Sequence, residues 1–238
     1  MSLPIIEYSG KGQTSLYGFS TNKTKIGSGN TGTVYESGIS PDIVIKKSTR
    51  KGKYSINKDK DYLSYLNEYK MGFTLEHKCL RKVYAFAIKT REDGKKVYRL
   101  KMERINGKSL SSQALEKLSM QQLKKNLTDA LDCANYLDSR KITWSDLTPS
   151  NTFITESSEI KFIDPEYYKE VLLDYQRSMD LVNEYSAFCK ALKNASVETD
   201  HVAFDNFIKE INLICWQDLP LPPFSIISDA IKSAIAKL

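Results

Sequence analysis

The hydrophobic pattern of this 238-residue chain changes period once, near Asn106-Gly107, and that change limits the fold more than any other feature. Ahead of it, short runs rich in Val, Ile and Tyr at 24–27, 33–37, 42–47, 82–89 and 97–103 read as strands, with Asp93-Gly94 as a tight turn between the last two. One amphipathic helix interrupts them at 61–77, where Tyr62, Leu66, Tyr69 and Phe73 recur at helical spacing. Behind the change, Leu115, Leu118, Leu123, Leu127, Leu131 and Leu137 form a helical stripe over 113–138, and helices are predicted again over 170–194, 202–216 and 225–237. Two short strands, 152–154 and 160–163, lie between them. Strands followed by helices predict a bilobal α+β fold: an antiparallel sheet with one helix over 1–105, then a reduced helical lobe over 106–238. A cleft between two such lobes is a natural ligand site.

Bulk properties narrow the classes. With 41% hydrophobic and 27% charged residues the chain can bury a core and is not disordered. No apolar run approaches a transmembrane helix in length, and MSLPIIEYSGKG lacks the basic-then-apolar order of a secretory signal. Cys79, Cys133, Cys189 and Cys215 form no CxxC pair and read as buried thiols of a reducing, cytoplasmic compartment, not as a disulfide or zinc framework. The net charge of +6 is divided: residues 1–106 hold 21 Lys/Arg against 10 Asp/Glu, +11, and the rest 14 against 19, −5. No aromatics interleave with the basic runs, so nucleic acid is not expected, and a solvated lysine-rich face near a phosphate site is. His77 and His201 are isolated and read as structural or surface residues, and Leu219-Pro220-Leu221-Pro222-Pro223-Phe224 reads as a connector between helices.

Five features in order carry chemistry. Gly27-Ser28-Gly29-Asn30-Thr31-Gly32-Thr33-Val34 reads GxGxxGxV, in which missing side chains let a hairpin lie close over phosphates. A strand, not a helix, follows the glycines, which argues against a dinucleotide fingerprint. Ile43-Val44-Ile45-Lys46 is an apolar strand ending in a lysine 14 residues after Gly32, so Lys46 is favoured over Lys47 as the phosphate-reaching group. Glu68, 22 residues on and inside the amphipathic helix, is the candidate partner for Lys46, with Glu76 near the helix end as its competitor. Then Asp146-Leu147-Thr148-Pro149-Ser150-Asn151 precedes the strand Thr152-Phe153-Ile154, and Ile160-Lys161-Phe162-Ile163 delivers Asp164, 13 residues after Asn151.

Over roughly residues 24–170 this succession resembles the protein kinases. The resemblance implies ATP and magnesium as cofactors. Gly27 to Gly32 and Val34 would lie over the nucleotide, Lys46 would hold the α- and β-phosphates against Glu68, and Asp146 would orient the acceptor hydroxyl. Asn151 and Asp164 would hold the metal, and backbone groups near Glu103 and Ile105, in Lys101-Met102-Glu103-Arg104-Ile105, would meet adenine.

Three departures shape the expectation. The His-Arg that precedes the family's catalytic Asp is Trp144-Ser145, the lysine two after it is Thr148, and the DFG triplet is Asp164-Pro165-Glu166 with no Ala-Pro-Glu after it. Ser145 cannot grip a phosphorylated activation loop, Pro165 stiffens the triplet, and 74 residues after Asp164 leave no room for a usual activation segment. No phosphorylation control at that segment is expected. Tyr167-Tyr168 reads as packing for the truncated lobe, with contact to substrate as the alternative. Such reduction resembles the bacterial effector kinases of the OspG/NleH and HopBF types, which implies type III secretion into a host cytosol and a monomeric Ser/Thr kinase acting on a host protein. A ninety-kilodalton-class heat-shock chaperone would be the target for the HopBF type, and ubiquitin-conjugate machinery the activator for the OspG type. A small-molecule kinase of the same fold, a nucleotide-binding pseudokinase acting through a partner, and transfer of AMP instead of phosphate stay open.

Overall fold

The computed structural model describes residues 3–9, 13–29, 31–48, 58–112, 118–144, 146–164, 169–195, 201–216 and 222–238. Asn30, Leu115, Ser145, Pro165 to Tyr168 and Leu219 to Leu221 therefore lie outside the described residues. The chain forms two compact units, Met1–Glu76 with Arg81–Ile105, and His77–Leu80 with Asn106–Leu238.

The first unit runs β1 (Ile5–Ser9), α1 (Gln13–Leu16), β2 (Thr21–Ser28), β3 (Gly32–Ser37), β4 (Ile43–Ser48), α2 (Lys58–Thr74), β5 (Val83–Thr90) and β6 (Lys96–Glu103). Its six strands form one sheet in the order β1-β5-β6-β4-β3-β2. Five of them pair antiparallel through hairpins and returns, and the β5–β6 turn is closed at Gly94, whose φ of 72° is open to a residue without a Cβ. Sequence periodicity misses β1, which adds to β5 in parallel and makes the sheet mixed. It also misses the short α1. One face of the sheet packs on α2 through Val44, Tyr65, Tyr69, Val83, Phe86, Leu100 and Met102.

The helix α2 shows a correction to the expected stripe. Tyr65 and Tyr69 are fully buried and Glu68 lies between them, whereas Phe73 is exposed and Tyr62 and Leu66 are half-buried. The inward face is rotated toward Tyr65 because Glu68 must reach the sheet to meet its cations, and burying a carboxylate is tolerable only in that pairing.

The second unit runs β7 (Gly107–Ser109), α3 (Met120–Ser139), β8 (Ile142–Thr143), β9 (Thr152–Thr155), β10 (Ile160–Phe162), β11 (Lys169–Glu170), α4 (Asp174–Ala195), α5 (His201–Trp216) and α6 (Phe224–Lys237). The helix expected from residue 113 begins at Met120, since Ser119 caps it and Gln122 closes the capping box. Leu118, Leu123, Leu127, Leu131 and Leu137 of the expected stripe are all buried. Glu170, where the helix expected over 170–194 would start, pairs instead with Ile142 of β8, and that helix begins at Asp174. The strands β10, β9 and β7 form a small antiparallel sheet. Cys79, Cys133 and Cys189 are buried free thiols. His77 accepts the Cys79 amide at 3.2 Å and stacks on Tyr136, the place of a turn residue. Among the described residues no helix is long and apolar enough to cross a membrane.

Candidate active site

In the first unit the glycine-rich segment is the turn between β2 and β3, closed by the Gly29 amide on the Gly32 carbonyl at 2.9 Å. Its glycines have different reasons to be there. A Cβ on Gly32 would come within 2.7 Å of the Lys47 carbonyl oxygen and closer still to the Tyr65 hydroxyl, so that position is packed by the protein itself. A Cβ on Gly27 or Gly29 would meet nothing within 4 Å. Space kept open beside a backbone is what a close-lying ligand requires.

Alternation along β4 sends Lys46 to the face that carries α2, with Val34 as its cross-strand partner. Lys46 Nζ donates to Glu68 Oε2 at 2.7 Å, with 4% of the lysine and none of the glutamate exposed. Arg81 Nη2 donates to the other oxygen, Oε1, at 3.3 Å. The Lys46 ammonium also lies 5.7 Å from the Tyr65 ring centroid, and the Tyr65 hydroxyl donates to the Thr31 carbonyl. One buried carboxylate thus holds an ammonium extended and orients it. Glu76, the competitor, is exposed and pairs with Lys82. At the end of β6 the Glu103 amide donates to the Lys82 carbonyl at 2.9 Å, so that amide is already used within the unit. Ile105, half-buried, ends this unit.

In the second unit the loop between β8 and β9 is held from several sides. Asp146 has φ 72°, a left-handed conformation that Asp tolerates better than most residues. Asn151 Nδ2 donates both to the Asp146 carbonyl and to its Oδ2, each at 3.0 Å. That fixes the carboxylate, which is exposed and can accept a proton from an incoming hydroxyl, and turns the Asn151 side-chain oxygen away from it. The Ile163 amide donates to the Asn151 carbonyl at 2.9 Å, which ties the end of β10 to this loop next to Asp164. Asp164 is half-buried and also left-handed, with φ 58°.

Three supports were not legible as functional positions. The Glu184 carboxylate on α4 accepts the Asp146 amide at 3.3 Å and the Leu147 amide at 2.9 Å, gripping the loop at its sharpest residue. Its only signal in the sequence is a charge set between Val182 and Tyr185 of the buried stripe of α4. Trp144 is fully buried with its ring 4.9 Å from Phe162, which meets Phe188 edge to face in turn. An indole therefore anchors the loop on apolar packing. Arg81 is the third, visible beforehand only as one cation among many.

The chemistry of these groups fits a nucleotide and a hard divalent cation. An amide oxygen such as that of Asn151 and a carboxylate such as that of Asp164 are the kind of oxygen donor that magnesium takes from protein, one or two at a time, with its remaining positions going to phosphate and water. Among the described residues there is no cluster of three His, Cys, Asp or Glu that would favour a zinc-type site. A family model of the protein kinase domain matches residues 20–202 of the chain. Among curated proteins no significant match is found.

Proposed function

The chain belongs to the protein kinase family, and on that premise we propose that it is an active phosphotransferase using ATP and magnesium. In this reading the open sides of Gly27 and Gly29 admit the phosphates, Lys46 holds the α- and β-phosphates in the orientation fixed by Glu68, and Asn151 and Asp164 hold the magnesium. The metal supplies charge neutralisation for the transferring group. Asp146 accepts the acceptor hydroxyl's proton while the γ-phosphoryl passes from ADP's terminal oxygen to that hydroxyl oxygen. The observation that carries the reading is the Asp146 carboxylate pinned by Asn151 at 3.0 Å and by Glu184 through the backbone. A module that only bound nucleotide would have no use for a positioned, exposed base.

The finer proposal is a Ser/Thr kinase of the bacterial effector type, acting on a protein of a eukaryotic host and free of activation-loop control. It rests on the short span between Asp164 and the first residue of α4, Asp174, and on a lysine–glutamate pair already assembled in the chain alone. The same short span supports a second reading, a small-molecule kinase, since an acceptor without a peptide backbone needs no platform there. Purified protein with γ-labelled ATP, magnesium and eukaryotic lysate tests both, beside Asp146→Ala and Asp164→Ala. Label on lysate proteins that falls at least about 100-fold in both variants is expected. Label confined to small molecules would select the second reading. No transfer by wild type to lysate or metabolites, with nucleotide bound, would make the chain a pseudokinase.

A further inference from the structure

The lysine next to Lys46 serves another face. Neighbours along a strand point to opposite sides, so Val34 and Lys46 share the α2 side of the sheet while Thr33, Lys47 and Arg99 share the other, in cross-strand register. β5 extends that second face with Ala87 opposite Arg99 and Lys89 opposite Val97. Part of it is closed by the chain's own N-terminal segment, where Tyr8 and Phe19 pack on Ile45 and Ala87 and Arg99 Nη1 donates to the Phe19 carbonyl at 2.9 Å. Beside this cover lies a row of cations.

The row is unfavourable as it stands. Lys47 and Arg99 are direct cross-strand partners, and like charges in that relation cost stability. Arg99 is only 8% exposed, yet its Nε has no hydrogen-bond partner among the described residues, whereas buried donors are ordinarily satisfied. Lys47 is half-buried, and burial followed by the charges of Arg99, Arg91 and Lys89 holds its ammonium below the usual lysine value. Asp93, at the hairpin end, pairs with Arg91 at 3.6 Å and with Lys95 at 3.5 Å. Among the described residues Lys89 Nζ reaches the Thr14 hydroxyl, at 3.5 Å.

We propose that this face binds a phosphate group, with Lys47 and Arg99 as its ligands and Lys89 at the rim. A guanidinium beside an ammonium in direct cross-strand register suits a tetrahedral oxyanion carrying more than one charge, and a single carboxylate would offset too little of the row. The site lies on the side of the sheet away from Lys46 and is independent of the nucleotide reading. Part of the excess positive charge of residues 1–106 is thereby given a purpose. A soluble phosphate compound and a lipid phosphate headgroup offer the same chemistry.

The test titrates inorganic pyrophosphate, without magnesium, into wild type, Lys47→Gln and Lys89→Gln by calorimetry, with circular dichroism as the check on folding. Saturable binding is expected, weakened about tenfold in Lys47→Gln, less in Lys89→Gln, and falling as salt is raised. Vesicles of phosphatidylcholine with and without phosphatidylinositol 4-phosphate distinguish the sources. Lys47-dependent capture by the phosphorylated lipid supports the headgroup, and pyrophosphate binding without capture supports a soluble ligand. Binding that survives both substitutions, as binding at the glycine-rich hairpin would, overturns the proposal, and so does failure of both probes. Should Lys47→Gln not fold, Lys89→Gln decides.

Discussion

Replacing Glu68 by alanine removes the carboxylate that Lys46 and Arg81 share, and leaves two cations, 4% and 8% exposed, without the charge that brings them together. Breaking a buried ion pair by deleting one partner costs about 3–5 kcal/mol, because the remaining charge keeps its desolvation penalty. Lys46→Met is different: Glu68 keeps Arg81 at 3.3 Å, so the loss is set at about half that range. For a unit of about 100 residues each kcal/mol lowers the melting temperature by at least about 4 °C, so Glu68→Ala is expected to melt at least about 12 °C below wild type. Far-UV circular dichroism is the observable, because Trp144 and Trp216 both belong to the second unit and their fluorescence does not report the first directly. A melt of Glu68→Ala within about 2 °C of wild type, or a larger loss for Lys46→Met than for Glu68→Ala, would refute the shared-carboxylate argument.

The glycines of the β2–β3 turn separate packing from ligand approach. Gly32→Ala is expected to cost about 1–3 kcal/mol, since its Cβ collides with the Lys47 carbonyl, while Gly27→Ala leaves the melting temperature nearly unchanged and weakens the stabilisation by ATP and magnesium. Equal melting losses in the two variants would count against that division. Burial pushes the Cys79 thiol up to about 12 and raises Cys133 and Cys189 as well. The unfolded chain loses these protons near pH 8.5 while the native chain keeps them, so the thiols' contribution to stability is intact at neutral pH and declines from about pH 9 towards 12. Urea titrations across that window should show the loss, and thiol alkylation of the native protein at pH 8 should spare all three.

Local information carries a definite share of this fold. The Asp93-Gly94 turn, the apolar alternation that sends Lys46 inward and Lys47 outward, and the leucine stripe of α3 are all written within a few residues, and each appears in the structure as the spacing predicts. The order of glycine turn, strand lysine, Asp146, Asn151 and Asp164 is likewise linear, which is why the family is legible without coordinates. Other decisions depend on partners far along the chain. Glu68 and Glu76 are near-equivalent as letters on a helix, and only contact with β4 and Arg81 buries one and leaves the other in solvent with Lys82. Glu184 becomes the grip on the loop between β8 and β9 across a separation of 38 residues, Trp144 gains its place from Phe162, and the edge strand β1 from parallel pairing with β5. Periodicity reports which side of an element is apolar, but not what will lie against it, because that is settled by the free energy of desolvating each charge and ring in the packed whole.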